Sequence, residues 1–234
     1  MNKYLLYLPL LGIVFLYGLI AGSYKTFPFN EIKTLKRLVL GQANDLYDIS
    51  TPYYLSKVSF FKLNSKNNYD IVFIGDSLTD NAEWHDLFLD VSIANRGISG
   101  DRSAGILNRM DTIISTGAKK AFLMLGVNDI NRGINIDLIF DNYKKIIIEL
   151  QENNIEPYVQ STLFTDLNSI DNHNIEELNL KLKAFCKKKS ITFIDLNPLL
   201  SKSGRLSKNY SFDGLHLNGK GYSVWSQAIY KYIN

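Results

Sequence analysis

Four short polar groups in the 234-residue chain carry side chains suited to acyl chemistry, three of them just past an apolar run and the fourth in the last loop before the final helical stretch. They are Gly75-Asp76-Ser77, Asn95-Arg96-Gly97, Gly126-Val127-Asn128-Asp129 and Asp213-Gly214-Leu215-His216. A serine hydroxyl is a poor nucleophile until a base takes its proton. The His216 imidazole is the candidate base. Asp213, earlier in the same loop, can hold that ring in the useful tautomer if Gly214 turns the chain. A tetrahedral adduct on Ser77 then needs donors at its oxyanion. The N–H of Ser77, the N–H of Gly97 and the side-chain amide of Asn128 are the candidates, one such donor being worth about 2.7–4 kcal/mol of barrier. Gly97 also suits the role because a side chain there would obstruct the acyl group. Trp84 and Arg102 are candidates for touching substrate, although packing suits Trp84 equally and an ion pair suits Arg102 at least as well. His85 and His173 have no comparable setting and read as surface or loop residues.

The elements that must position these groups follow from the pattern between them. The runs IVFIG (71–75), VSIAN (91–95), AFLMLG (121–126), PYVQS (157–161) and ITFID (191–195) read as buried strands. Ile106, Leu107, Met110, Ile113 and Ile114 fall on one helical face, as do Ile139, Tyr143, Ile146, Ile147 and Leu150. A third helix is expected from about Ile175 to Lys189. A last one follows Asn218, with Tyr222, Trp225, Ile229 and Tyr230 to pack. Strands alternating with helices imply βαβ units, hence an α/β fold: a three-layer α/β/α sandwich of flavodoxin-like type with a five-stranded parallel sheet. Such a sheet gathers the ends of its strands, and with them all four polar groups, at one edge.

Each group alone is weak evidence, since Gly-Asp-Ser and Asp-Gly are ordinary turn sequences and Asn-Asp an ordinary cap. Four in order, each at a predicted strand end, are strong evidence. On those residues the chain resembles the SGNH hydrolases, the GDSL esterase/lipase family, over about residues 69 to 232. The blocks are Gly75-Asp76-Ser77-Leu78, Gly97, Gly126-Val127-Asn128-Asp129 and Asp213-Gly214-Leu215-His216-Leu217. The resemblance implies Ser77 as nucleophile, Gly97 and Asn128 as oxyanion donors, His216 as base and Asp213 as its orienter, with no metal or organic cofactor. The stretch from Ile93 to Asp101, and Trp84, look like the branch of acetylhydrolases and carbohydrate O-acetyl esterases. The expected activity is therefore hydrolysis of acyl esters, first of all O-acetyl esters on a cell-envelope or surface glycan. A lysophospholipase or short-chain lipid esterase, and an O-acyltransferase using the same acyl-enzyme, remain alternatives. The Gly-x-Ser-x-Gly elbow, the His-Glu-x-x-His zinc helix, the Walker loop and the dinucleotide fingerprint do not occur in the sequence.

Composition narrows the rest. With 46% hydrophobic and 21% charged residues the chain can bury a core, and one catalytic domain is the natural reading. The net charge of +3 is small, and the run Lys187-Lys188-Lys189 suits a helix C-terminus better than a nucleic-acid surface. Cys186 is single, which rules out an intrachain disulfide. Tyr4 to Ser23 carries no charge and is long enough to cross a bilayer. The expected organisation is an N-terminal transmembrane anchor or signal sequence (1–23), a connector (24–66) with a helix capped by Asn30, and a hydrolase domain (67–234). Lys25, Lys33, Lys36 and Arg37 follow the apolar stretch, against export by charge, yet long C-terminal domains translocate regardless of it. A membrane-anchored domain exported to the periplasm or cell exterior is the expectation, with a cleaved and secreted form as the alternative.

Overall fold

The computed structural model describes residues 14–18, 51–64 and 68–233. The chain divides into two compact units, Met1–Leu46 and Tyr47–Asn234. Of the first, only a helical turn at 14–18 is described, with Val14, Phe15, Leu16 and Tyr17 exposed. The transmembrane helix expected over 4–23 otherwise lies outside the described residues, as does the helix capped by Asn30. Among the described residues, no helix is long and apolar enough to cross a membrane.

The second unit is built on a five-stranded sheet: β1 Ile71–Gly75, β2 Ile93–Gly97, β3 Lys120–Met124, β4 Glu156–Gln160 and β5 Thr192–Ile194. The spatial order is β2-β1-β3-β4-β5, and every pairing is parallel. This is the flavodoxin-like order, with its switch point between β1 and β3. The expected α/β sandwich and its five parallel strands are present. Helices cover both faces, so β1 is buried along its whole length. Val72 and Ile74 enter one core layer, Ile71 and Phe73 the other.

The helices follow their sequence patterns. In α7 (Ile136–Glu152), Ile139, Tyr143, Ile146, Ile147 and Leu150 are fully buried, and the Asn135 side chain caps the first turn by accepting from Asp137 N at 2.8 Å. Helix α8 (Asn172–Lys189) buries Ile175, Leu178, Leu182 and Cys186, and its three terminal lysines sit where the helix dipole favours cations. Helix α10 (Gly219–Ile233) lays Trp225, Ile229 and Ile233 into the second layer.

Between β2 and β3 the sequence suggests one helical face, whereas the structure has two short helices, α4 (Ser103–Leu107) and α5 (Met110–Ile114). The break falls at Asn108-Arg109. Ile106, Met110 and Ile113 are still buried, but the Arg109 side chain turns inward to an ion pair with Asp101, which an uninterrupted exposed helix face would not give it.

Residues read as connector also contribute structure. Thr51 caps α1 (Pro52–Leu63), whose Tyr54 and Phe61 bury against Ile98. The remaining short helices are α2 (Ser77–Asp80), α3 (Trp84–Leu87), α6 (Val127–Asn131) and α9 (Asn197–Leu200), with a small hairpin, β6 (Ser201–Lys202) and β7 (Arg205–Leu206).

Candidate active site

Ser77 opens α2 at the carboxyl end of β1, one side of the switch point, and is nearly buried. Its position is fixed by Asp76, whose Oδ1 accepts from Leu78 N at 3.0 Å and caps the turn. Asn128 opens α6 past the end of β3, on the other side of the switch point. Gly126, just before it, adopts φ +116°, a left-handed conformation in which a side chain would be strained and would press on Leu178.

His216 and Asp213 arrive on the loop before α10. His216 Nε2 lies 3.0 Å from Ser77 Oγ, and His216 Nδ1 lies 2.6 Å from Asp213 Oδ2. With the carboxylate accepting the Nδ1 proton, Nε2 is left as the acceptor facing the serine hydroxyl. The loop is internally braced. Asp213 Oδ1 accepts from Leu215 N at 2.9 Å and His216 N at 2.8 Å, and Gly214 turns the chain at φ +80°. Burial works to raise the Asp213 pKa, but the His216 ring and these two amides outweigh it and hold the carboxyl well below its ordinary range. Asp213 is therefore charged wherever the histidine can act as a base.

The glycine expected to supply an oxyanion amide is used differently. The Gly97 N–H donates to Asn95 Oδ1 at 2.9 Å, so it is engaged within the strand end. Its lack of a side chain serves packing: a Cβ there would stand 2.3 Å from Asp80 N, in the backbone of α2. Glycine at this position lets the serine's helix lie on β2. The turn that follows carries the free amide. Asp101 N donates to Ile98 O at 3.0 Å, closing a four-residue turn with Gly100 at φ +80°. That is the type II geometry, which needs glycine at its third position. Gly100 is exposed, a Cβ built on it would meet nothing within 4 Å, and none of the described residues accepts its N–H. Asn128 Nδ2 donates to Asp101 O at 3.0 Å, which sets the Asn128 amide beside the same turn and leaves its second N–H for a ligand. Ile98-Ser99-Gly100-Asp101 is itself a readable turn signal, and it marks Gly100 rather than Gly97.

Neither residue expected to touch substrate reaches the surface. Trp84 is 1% exposed, stacked on Phe73 at 3.7 Å and edge-on to Trp225, with its indole N–H given to Thr79 O. It is a core residue holding the far end of α2. Arg102 is 5% exposed beside the Asp129 carboxylate, and its N–H donates to Asp101 Oδ1. Its charge is spent inside the protein.

Beneath Ser77 lies a buried polar floor that sequence reasoning did not find. Arg109 Nε meets Asp101 Oδ2 at 2.8 Å, and Arg109 Nη2 donates to Arg96 O at 2.8 Å. Asp129 accepts from Ser103 N and, at 2.7 Å, from Ser103 Oγ, to which Asn142 Nδ2 also donates. Burial pushes the Asp129 carboxyl up to about 6 and the Asp76 carboxyl up to about 7, with neighbouring carboxylates adding to the effect. Asp76 Oδ2 and Arg109 Nη1 are buried without a hydrogen-bond partner among the described residues.

A parallel α/β sandwich with Ser, His and Asp converging at its switch point defines a class, the serine hydrolases that lack the Gly-x-Ser-x-Gly elbow. The profile of the GDSL-like Lipase/Acylhydrolase family matches residues 73–224, and the chain belongs to that family. Among curated proteins it is similar to the N-acylneuraminate cytidylyltransferase of Streptococcus agalactiae serotype V, 31% identical over 148 residues, covering 62% of this chain and 34% of the relative. The chain thus spans about a third of the length of the curated relatives it matches. Among solved structures, a GDSL-like lipase from Bacteroides thetaiotaomicron superposes with a TM-score of 0.67 at 23% identity, over 77% of this chain and 96% of that one. A variant of an acetyl-xylooligosaccharide esterase from Geobacillus stearothermophilus gives 0.60 at 16%, over 72% and 95%. Those two likenesses are likenesses of fold.

Proposed function

We propose that the protein removes short acyl groups, acetyl first, from hydroxyls of a cell-envelope or surface glycan through an acyl-Ser77 intermediate. The observation that carries this reading is the continuous chain from Ser77 Oγ through His216 to Asp213, at 3.0 Å and 2.6 Å. His216 takes the serine proton as Oγ attacks the ester carbonyl carbon. The oxyanion that forms is met by the Ser77 N–H, the Gly100 N–H and the free N–H of Asn128. His216 then returns its proton to the leaving sugar oxygen. Water, deprotonated by the same ring, attacks the acyl carbon, and as the bond to Ser77 Oγ breaks the ring returns that proton to Oγ and the carboxylic acid leaves.

Two features support a carbohydrate ester over a lipid. The His216 and Asp213 side chains are 36% and 54% exposed, an open rim that suits a substrate whose bulk stays in solvent. The Streptococcus relative is named for N-acylneuraminate, an acylated sugar acid, and the Geobacillus structure for an acetylated xylo-oligosaccharide. The uncharged stretch 4–23 supports membrane anchoring with the domain exported, which protease accessibility on intact cells would test.

The deciding assay measures acid release with no acceptor present, on p-nitrophenyl acetate, a long-chain p-nitrophenyl ester, and O-acetylated N-acylneuraminate and xylo-oligosaccharide. Acetate release from a sugar, with p-nitrophenyl acetate preferred over the long chain, is the expected result. Preference for the long chain would replace the glycan by a lipid, and turnover only when an alcohol acceptor is added would make the enzyme a transferase. Undiminished hydrolysis by Ser77→Ala would remove the mechanism.

A further inference from the structure

The Asp80 carboxylate, at the far end of the nucleophile's own helix, joins three parts of the molecule. Its Oδ1 receives Lys57 Nζ at 2.6 Å, and its Oδ2 receives the Tyr53 hydroxyl at 2.5 Å, both from α1. The same Oδ2 receives Ser99 N and Ser99 Oγ, each at 2.9 Å, from the turn that presents Gly100. The Asp80 side chain is only 4% exposed. Four donors on one shielded carboxylate more than offset the loss of solvent, and they keep it charged below the ordinary carboxylate range. The apolar contacts run in parallel: Ile98, the first residue of the turn, is fully buried against Tyr54 and Phe61 of α1.

The geometry points to Asp80 as a positioning residue that, with Tyr53 and Lys57 of α1, sets the Ser99–Gly100 amide against Ser77. Helix α1 lies ahead of residues 73–224, where the family profile matches. The physical reason is that Gly100 sits in an exposed turn with no packing of its own. Its amide direction is fixed from both sides, by the Asn128 bond to Asp101 O after it and by the Asp80 bonds to Ser99 before it. Without α1, the Asp80 carboxylate would be left to water, and the turn would lose its rigid acceptor. The amide would then have to be organised during the reaction instead of beforehand.

The inference rests on the ester-hydrolysis reading, and the test separates the two. In the full chain, Asp80→Asn and the double variant Tyr53→Phe/Lys57→Met are compared with the parent and Ser77→Ala on p-nitrophenyl acetate. Active sites are counted by fluorophosphonate labelling, so that unfolded protein does not enter the rate. Removing one oxyanion donor lowers kcat by roughly 10²–10³-fold. For variants that displace the amide without removing it, the expected fall is about tenfold or greater per labelled site, with KM within about twofold and an unchanged pH midpoint of kcat. A merely structural role would lower the melting temperature and the labelled fraction while leaving kcat per site intact. That result, in either variant, overturns the inference. Ser77→Ala at parental activity would instead overturn the reading on which it stands.

Discussion

The loop at 211–217 and the floor beneath Ser77 are both dense with polar groups, and they are built in opposite ways. In the loop most braces are local: Gly214 N to Ser211 Oγ, Leu215 N and His216 N to Asp213 Oδ1, and a bridge between Ser211 and Leu217, with one distant brace from Asp166 N, which donates to Gly214 O at 2.7 Å. Ser211 and Leu217 anchor its ends in the interior, while the residues between them are half-buried or exposed, Phe212, beside Asp213, at 93%. In the floor, Asp76, Asp101, Arg109 and Asp129 are all 2% exposed or less, and the partners come from separate strands and helices. A locally braced, wet loop can be changed without unfolding the protein. A dry network cannot lose one charge without stranding another. The comparison says that activity and stability are carried by different residues a few ångströms apart.

The largest expected effect is at His216. His216→Ala is expected to lower kcat by about 10⁴-fold or more, as removal of a serine hydrolase's base does elsewhere. Because the His216 side chain is 36% exposed and its partners are Asp213 and Ser77, the thermal midpoint is expected to stay within about 2 °C. Calorimetry beside the esterase assay checks both. A drop of about 5 °C would show that the loop carries stability after all.

Next in size is the reverse case. Arg109→Met removes the ion pair from the buried Asp101 carboxylate, a loss expected at about 3–5 kcal/mol by urea denaturation. Adding Asp101→Asn is expected to recover part of it. A single-variant cost under about 1 kcal/mol would mean that water reaches the pair and that the floor is not dry.

The same contrast explains what the sequence disclosed. Ser77 and Asn128 each follow an apolar run, Asp213 and His216 fall in the last loop beyond the fifth, and a parallel sheet gathers the segments after its strands at one edge, so the gathering of the loops was legible before any coordinates. The floor was not. Asp101 and Arg109 have the look of surface residues, and nothing in a linear pattern distinguishes an arginine pointing outward from one turned in towards a carboxylate eight positions earlier. The signal available was indirect: a cation between Ile106 and Met110, where a smooth helix face would have been apolar. Gly97 and Gly100 show the other limit. Both are glycines in one loop, and only tertiary contact reveals that the first admits a neighbouring helix while the second bears a left-handed turn. Trp84 was misleading for a related reason, since nearness in sequence to the nucleophile placed it under the site instead of in it.

The smallest expected effect sharpens the comparison through pH. Burial, reinforced by the charges of Asp101 and Asp129, lifts the Asp76 carboxyl from 3.8 to about 7, while the cap bond from Leu78 N pulls the other way. A carboxyl raised in the folded state holds its proton there when the unfolded chain has already released it. Its contribution to stability is therefore complete below about pH 4 and is lost as pH rises through 7. Asp129, lifted to about 6, loses its contribution in the same window. Asp213, Asp80 and Asp166 are lowered and act oppositely, so their contributions fade only when pH falls through the acid range. Between pH 5 and pH 8 the floor should dominate. Asp76→Asn keeps an oxygen for the Leu78 N–H and removes the proton release, so its stability relative to the parent should climb with pH across that interval, by at most about 1.4 kcal/mol per unit. Melting curves of the two proteins at half-unit steps measure it. Parallel curves would mean that Asp76 is ionised throughout, which would require a partner for Oδ2 and would make the floor beneath the nucleophile wetter than its burial implies.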